Sequence, residues 1–155
     1  MGRDGFPAQV RAIAAAGHEI GNHSYSHRRM VFMWPSAIRA EVDGARAAIA
    51  RIGYRGPEIF RPPYGKKLVY LPYYLRERGI PTVMWDVEAD SDTSASAEQI
   101  EHLAVDGVRP GSIVLMHVMG PARQASLAAV EPIVVALGRR GYRFVTVSQL
   151  LDEAR

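Results

Sequence analysis

The sequence predicts an α/β fold in which a parallel sheet is covered by helices. Three observations carry that expectation. Apolar periodicity alternates along the chain between helix-like and strand-like segments, which is the pattern of parallel α/β proteins. Glycines stand where the helical patterns stop, at Gly17, Gly53 and Gly107. The polar motifs that could carry chemistry fall at the ends of the expected strands, where parallel α/β proteins place their sites.

The elements follow in order. Pro7 at a first helical position opens a helix over Ala8–Ala16. His18–His23 reads as a short strand running into a polar loop. Ile38, Val42, Ala45, Ile49 and Ile52 mark one face of a second helix. Glu58–Arg61 is a strand ended by Pro62 and Pro63, and Pro72 begins a helix running to Arg78, since an interior proline would break one. Thr82–Glu88 is strand-like. Ser96 with Gln99 forms a capping box that opens a helix to about Asp106. Ser112–Val118 is a buried strand. Leu127, Val130, Val134 and Leu137 mark a helix interrupted before Pro132, Tyr142–Val147 is a last strand, and Ser148 caps a last helix.

A chain of 155 residues is read as one domain, residues 1–155, with room for a core that needs no staples. It has no cysteine, so a disulfide framework and a thiolate metal site are both excluded. Any metal must be held by histidine and carboxylate. The net charge of +3 is spread over short basic pairs such as Arg28-Arg29, Lys66-Lys67 and Arg139-Arg140. These read as solvated surface, with no run that would argue for nucleic acid. No apolar stretch is long enough for a membrane span, and the N-terminus has no signal-peptide pattern.

Three segments could do chemistry. In His23-Ser24-Tyr25-Ser26-His27 the imidazoles stand four residues apart, so a single helical turn would face both toward one ion. Neutral imidazole suits zinc and its neighbours, yet a catalytic zinc takes three protein ligands and the pair supplies two. The plainer reading is two surface histidines. Arg61-Pro62-Pro63-Tyr64-Gly65 cannot continue a strand and makes a rigid turn. Rigidity serves where backbone N–H groups are aimed at a developing oxyanion, and Arg61 could fork a carboxylate. An ordinary turn is the alternative. His117 ends the apolar run Ile113–Met116. It is either a core histidine satisfied by a carbonyl or a general acid kept protonated by a carboxylate of the preceding strand, where Asp86 and Glu88 share a face. His18 and His102 show no partners, and Trp34, Tyr73 and Tyr74 read as core by default, with sugar stacking as the alternative.

In order, H-S-x-x-H, R-P-P-Y-G, W-D-V-E and L-x-H, with the flanking Gly17–His23 and Gly141–Val147 segments, resemble the polysaccharide deacetylase family. This family is also called NodB-homology or carbohydrate esterase family 4. The resemblance runs over essentially the whole chain and implies a deformed (β/α) barrel that hydrolyses N-acetyl, sometimes O-acetyl, groups on sugars. It implies His23 and His27 as ligands of a divalent metal, zinc above all, and Arg61 as the residue orienting the catalytic base. Pro63 and Tyr64 belong to the oxyanion turn, with Tyr64 offering its backbone N–H. Leu115 lines the acetyl-methyl pocket, and His117 protonates the leaving amine. Either Glu88 or Asp86 orients His117, with Glu88 favoured by alignment. The implied partner is an acetylated amino-sugar polymer or oligosaccharide, and the implied location is the cell envelope or outside the cell.

The chain departs from the family at its front. The family opens on T-F-D-D-G, whose aspartates supply the base and the third metal ligand, and no adjacent aspartates occur here. Met1-Gly2-Arg3 matches what normally follows the second strand, so two strands and a helix of the barrel are expected to be missing. Asp4 would start a helix and is a poor substitute. Two further readings therefore stand beside a deacetylase. One is a non-catalytic carbohydrate-binding remnant. The other is a different metal hydrolase in which Glu88, Asp90 or Asp92 is the third ligand.

An unclosed parallel barrel exposes strand edges. The isolated chain is expected to self-associate or to melt at low temperature. Light scattering on a sizing column, paired with a thermal melt, checks this, and a monodisperse monomer with a high, cooperative transition would contradict it.

Overall fold

The computed structural model describes residues 6–154. The expectations placed on Met1-Gly2-Arg3 and Asp4 fall outside the described residues. The chain divides into two compact units, one formed by residues up to Met84 and from Thr146 onward, the other by Trp85–Val145.

In the first unit, helix α1 spans Phe6–Ala15 and ends at Gly17, whose φ of 90° continues the chain in the left-handed region. Helix α2 spans Pro35–Arg51, with proline at its first position and Gly53 just past its end at φ 88°. Of its expected apolar stripe, Ile38, Val42 and Ala45 are buried, and Ile49 and Ile52 are half-buried. Helix α3 spans Tyr70–Arg76, so it starts two residues earlier than Pro72 predicts. Pro72 sits in the first turn, where the missing N–H had no intrahelical acceptor to lose. Helices α2 and α3 pack on a core of Met30, Ile38, Val42, Phe60, Leu71, Tyr74, Leu75 and Ile80. Helix α6 covers Val147–Glu153.

The expected strands of this unit are reduced to parallel bridges. Asn22 pairs with Phe60, and Phe60 with Thr82. Phe60 N–H donates to the Pro81 carbonyl at 2.9 Å and Val83 N–H to the Phe60 carbonyl at 2.8 Å. The parallel order matches the expectation, but the ladders are short. Pro57, Pro62, Pro63 and Pro81 crowd these segments, and proline cannot donate to a ladder.

In the second unit, strand β1 (Val87–Glu88) pairs in parallel with strand β2 (Val114–Leu115), Val87 opposite Val114 and Glu88 opposite Leu115. Helix α4 spans Ala97–Gly107 and opens on the expected capping box, Ser96 with Gln99. Helix α5 spans Gln124–Arg139 and continues through Pro132, where an interruption was expected. An interior proline costs about 3 kcal/mol. Burial of Ala129, Ile133 and Leu137 in one cluster with Ile100, Ala104 and Val105 of α4 offsets that cost. Residues 142–146 form no strand, contrary to expectation; instead Tyr142 N–H closes α5 on the Leu137 carbonyl and its hydroxyl donates to the Val108 carbonyl.

Thr146, not Ser148, caps α6, through a capping box with Gln149. Ser148 lies inside the helix and gives both its N–H and its hydroxyl to the Glu19 carboxylate. Of the three aromatics read as core, only Tyr74 is buried, while Trp34 and Tyr73 are exposed.

Tyr74 is held on two sides. Its hydroxyl donates to Asp43 at 2.7 Å, and the Arg78 guanidinium lies 3.7 Å from its ring centre. Burial, the hydrogen bond to Asp43 and the charge of Asp43 push the phenol up to about 12. A raised value means the neutral phenol is the form the fold selects. Its stabilisation is present below the ordinary phenol value near 10 and is lost as pH rises through the folded value. Ultraviolet titration of tyrosinate in the parent and in Tyr74→Phe should show one late-ionising phenol that the substitution removes; identical curves would refute this.

Candidate active site

The segment carrying the two histidines is a loop, not the helical turn that their spacing suggests. Ser24 and His27 adopt left-handed backbone, with φ of 68° and 57°, at roughly 1–2 kcal/mol for each such non-glycine residue. The loop is fastened to the protein at several points. Asn22, itself buried, donates its amide to the Val42 carbonyl of α2 and accepts Ser24 N–H on its side-chain oxygen. His27 N–H donates to Ser24 Oγ. The Glu41 carboxylate of α2 accepts Tyr25 N–H at 3.0 Å, Ser26 N–H at 2.8 Å and the Ser26 hydroxyl. Burial raises the Glu41 carboxyl, but the Ser26 and Tyr25 hydrogen bonds outweigh it and hold the group below its ordinary value.

This scaffold brings His23 Nε2 and His27 Nε2 to 3.2 Å. His23 Nδ1 lies 2.7 Å from the Arg61 carbonyl. A carbonyl only accepts, so that bond places the His23 proton on Nδ1 and leaves Nε2 as a lone pair. Two nitrogens at zinc distance on a tetrahedral ion stand about 3.3–3.4 Å apart. The pair therefore fits two corners of a metal site. Among the described residues no group of three histidines or carboxylates forms a fuller one.

The Arg61-Pro62-Pro63-Tyr64-Gly65 segment closes as a tight turn, with Gly65 N–H on the Pro62 carbonyl and Lys66 N–H on the Pro63 carbonyl. Pro63 is buried, and Tyr64 is held at φ 57°. The Tyr64 ring meets the His27 ring edge-on at 4.9 Å, and the Arg29 guanidinium lies 5.1 Å from its centre. Arg61 links the two motifs through its backbone. Its N–H donates to the Asn22 carbonyl and its C=O receives His23. Partial burial lowers the guanidinium from its ordinary value.

In the second unit, His117 has a partner that was not expected. Asp90 is fully buried, and its carboxylate accepts His117 N–H at 2.6 Å and faces His117 Nδ1 at 3.0 Å. Arg123 secures the same residue through the Asp90 carbonyl at 2.9 Å. Glu88 and Asp86, the expected partners of His117, are engaged elsewhere. Glu88 accepts from the Trp85 indole at 2.9 Å. Asp86 accepts Ser112 Oγ and Ile113 N–H, each at 2.8 Å. β1 ends at Glu88, so Asp90 lies beyond the strand pattern that face-sharing can read. Asp92, another candidate ligand, is taken up by Ser94. His102, which shows no partner by sequence, pairs with Asp106 one helical turn away at 3.0 Å. Leu115 is buried on β2.

The model of the family described as polysaccharide deacetylase matches residues 3–83. The chain belongs to the polysaccharide deacetylase family. It is similar to two peptidoglycan-N-acetylglucosamine deacetylases of Bacillus cereus. One is 30% identical over 97% of this chain and 55% of its own length, the other 33% identical over 94% and 68%. The solved structure of the peptidoglycan N-acetylglucosamine deacetylase Bc1960 superposes with a TM-score of 0.88 at 30% identity, covering 95% of this chain and 69% of that one. The fold is thus of the NodB type, mostly helical with a small parallel sheet in the described residues. The chain spans only 55% of the first of these relatives.

Asp90 anchors His117 as a carboxylate. Burial raises its carboxyl, and the hydrogen bonds from His117 and Ser126 outweigh burial and keep it below its ordinary value. A depressed carboxylate contributes stability above the ordinary range near 3.9, and that stability is lost as pH falls through the folded value. Asp90→Ala should cost about 1–3 kcal/mol by urea unfolding at neutral pH, because it strands the His117 N–H. The gap between parent and Asp90→Asn should shrink on acidification, and a gap independent of pH would refute the assignment.

Proposed function

We propose that this chain carries the metal-binding and proton-donating residues of a deacetylase that hydrolyses N-acetyl groups of an amino-sugar polymer, with peptidoglycan-type N-acetylglucosamine as the first substrate to try. The observation that carries the reading is the 3.2 Å approach of two Nε2 atoms with the His23 tautomer fixed by the Arg61 carbonyl, in a chain of this family. Action at the cell envelope is the corresponding location, and the kinship to peptidoglycan deacetylases supports it.

His23 and His27 hold the metal, and zinc is the ion their chemistry suits. When bound, such an ion supplies Lewis-acid polarisation of a carbonyl and a more acidic water. The remaining roles belong to the chain. Tyr64 N–H donates to the acetyl oxygen as charge develops on it, and the adjacent prolines keep that donor in place. Leu115 offers apolar surface to the acetyl methyl. His117 passes the proton on Nε2 to the departing amine while Nδ1 stays on Asp90. Arg61 orients the carboxylate that takes the proton of water. In the family an aspartate of the opening Asp-Asp-Gly motif does this, and none of the described residues is assigned that role.

The second reading is carbohydrate binding without turnover, favoured by the absence of adjacent aspartates in these 155 residues. One assay separates the two. Acetate release from N-acetylglucosamine oligomers should require added zinc, stop with a chelator and fall at least about 100-fold in His117→Ala, the usual scale for a general acid. His23→Ala should fall similarly. Saturable oligomer binding with no acetate released would establish the second reading, and release indifferent to chelation or to His23→Ala would sink the first.

A further inference from the structure

We infer that Glu41 is a positioning residue for the His23–His27 pair and that its carboxylate sets the affinity of the pair for a divalent metal. The inference rests on the metal reading given above and goes beyond it. Three residues separate the imidazoles, and Glu41 grips two of them, at Tyr25 N–H, Ser26 N–H and Ser26 Oγ. Glu41 is buried, so its charge is committed to these donors rather than to water. The loop has no helical hydrogen bonds of its own to hold this form, and its two left-handed residues flank the gripped pair.

Helix α2 is shaped for the loop at a second point. Gly44, one turn beyond Glu41, faces the Tyr25 ring, and a Cβ there would come within 3.3 Å of it. A glycine inside a helix is unfavourable without such a reason. Val42 takes the Asn22 amide between these two contacts. Residues 41, 42 and 44 thus form a seat for residues 22–26. Releasing the Glu41 grip frees the stretch that fixes the distance between the two nitrogens. Loss of an outer partner of this kind typically weakens metal binding by about 10–100-fold.

The test is a Zn²⁺ titration by calorimetry on the full chain, with Co²⁺ absorption as a spectroscopic readout. Glu41→Ala should raise the zinc Kd by about 10–100-fold. Glu41→Gln should raise it less, because its amide oxygen can still accept the two backbone N–H groups while the charge is gone. Ile38→Val, a core change in the same helix, should leave Kd unchanged although it lowers the melting temperature. Parent-like zinc affinity in both Glu41 variants would overturn the inference, as would an Ile38→Val variant that loses affinity as much as Glu41→Ala does. If Glu41→Ala does not fold, Glu41→Gln together with Ser26→Ala decides, and parent-like Kd in both overturns it. His23→Ala in the same series separates the premises. Zinc binding that survives His23→Ala refutes the metal site itself and the Glu41 inference with it, whereas binding lost in His23→Ala but untouched at Glu41 refutes the inference alone.

Discussion

The 3.2 Å separation of His23 and His27 is imposed on its loop by helix α2. Left to local preference, Ser24 and His27 would leave the left-handed region. They stay because Glu41, Val42 and Asn22 absorb the polar groups of residues 22–26. Helix α2 in turn is fixed by the burial of Ile38, Val42 and Ala45. Core packing therefore reaches the chemistry through a single carboxylate and a single backbone carbonyl. The Pro-Pro turn follows from the same frame, since the Arg61 backbone bonds to both Asn22 and His23.

One device recurs at four places. Glu41 takes the N–H and hydroxyl of Ser26, Glu19 those of Ser148, and Asp90 the N–H and ring nitrogen of His117, while Asp86 takes Ser112 Oγ and Ile113 N–H. In each, a carboxylate distant in sequence receives a backbone amide together with a side chain at the same or the adjacent residue. A single backbone hydrogen bond leaves a loop free to pivot about it. Two convergent bonds to one carboxylate fix direction as well as distance, and charge assistance makes each stronger than a neutral bond. Loops held this way need few ladder bonds, and strands that pair over only one or two residues suffice.

The same device explains what sequence could and could not show. The helices were legible because their signals are local, as with the stripe of α2 and the Ser96–Gln99 capping box. His23, His27, the Pro-Pro turn and His117 were legible as motifs. The partner of His117 was not. Face-sharing on a strand pointed to Glu88 or Asp86, but the paired strand stops at Glu88, and Asp90 lies two residues beyond it. Glu41 stands on the buried stripe of α2, three residues after Ile38 and four before Ala45, but periodicity does not name its partner, a loop fifteen residues earlier that closes on it. Ser148 misled for the related reason that its hydroxyl serves a distant glutamate instead of its own helix end. Pro132 misled because a local breaker rule lost to burial along α5.

The left-handed residues show where the fold accepts strain. Ser24, His27, Phe32 and Tyr64 are the non-glycine residues at positive φ among those described; Ser24, His27 and Tyr64 lie in the two motifs of the first unit, and Phe32 lies five residues past His27. Glycine would relieve the backbone at any of them. At His27 it would remove an imidazole, and at Tyr64 the ring that touches that imidazole. Glycine is used at Gly65, the next residue after Tyr64, where φ is 63° and no side chain is required. At His27 and Tyr64 strain is thus kept where a side chain is presented in a direction that ordinary backbone would not give. It persists because the neighbouring anchors, together with the His27 N–H bond to Ser24 Oγ inside the loop, provide compensating bonds. Such a site is rigid only while its anchors hold, so a change beneath the histidines is felt at the histidines.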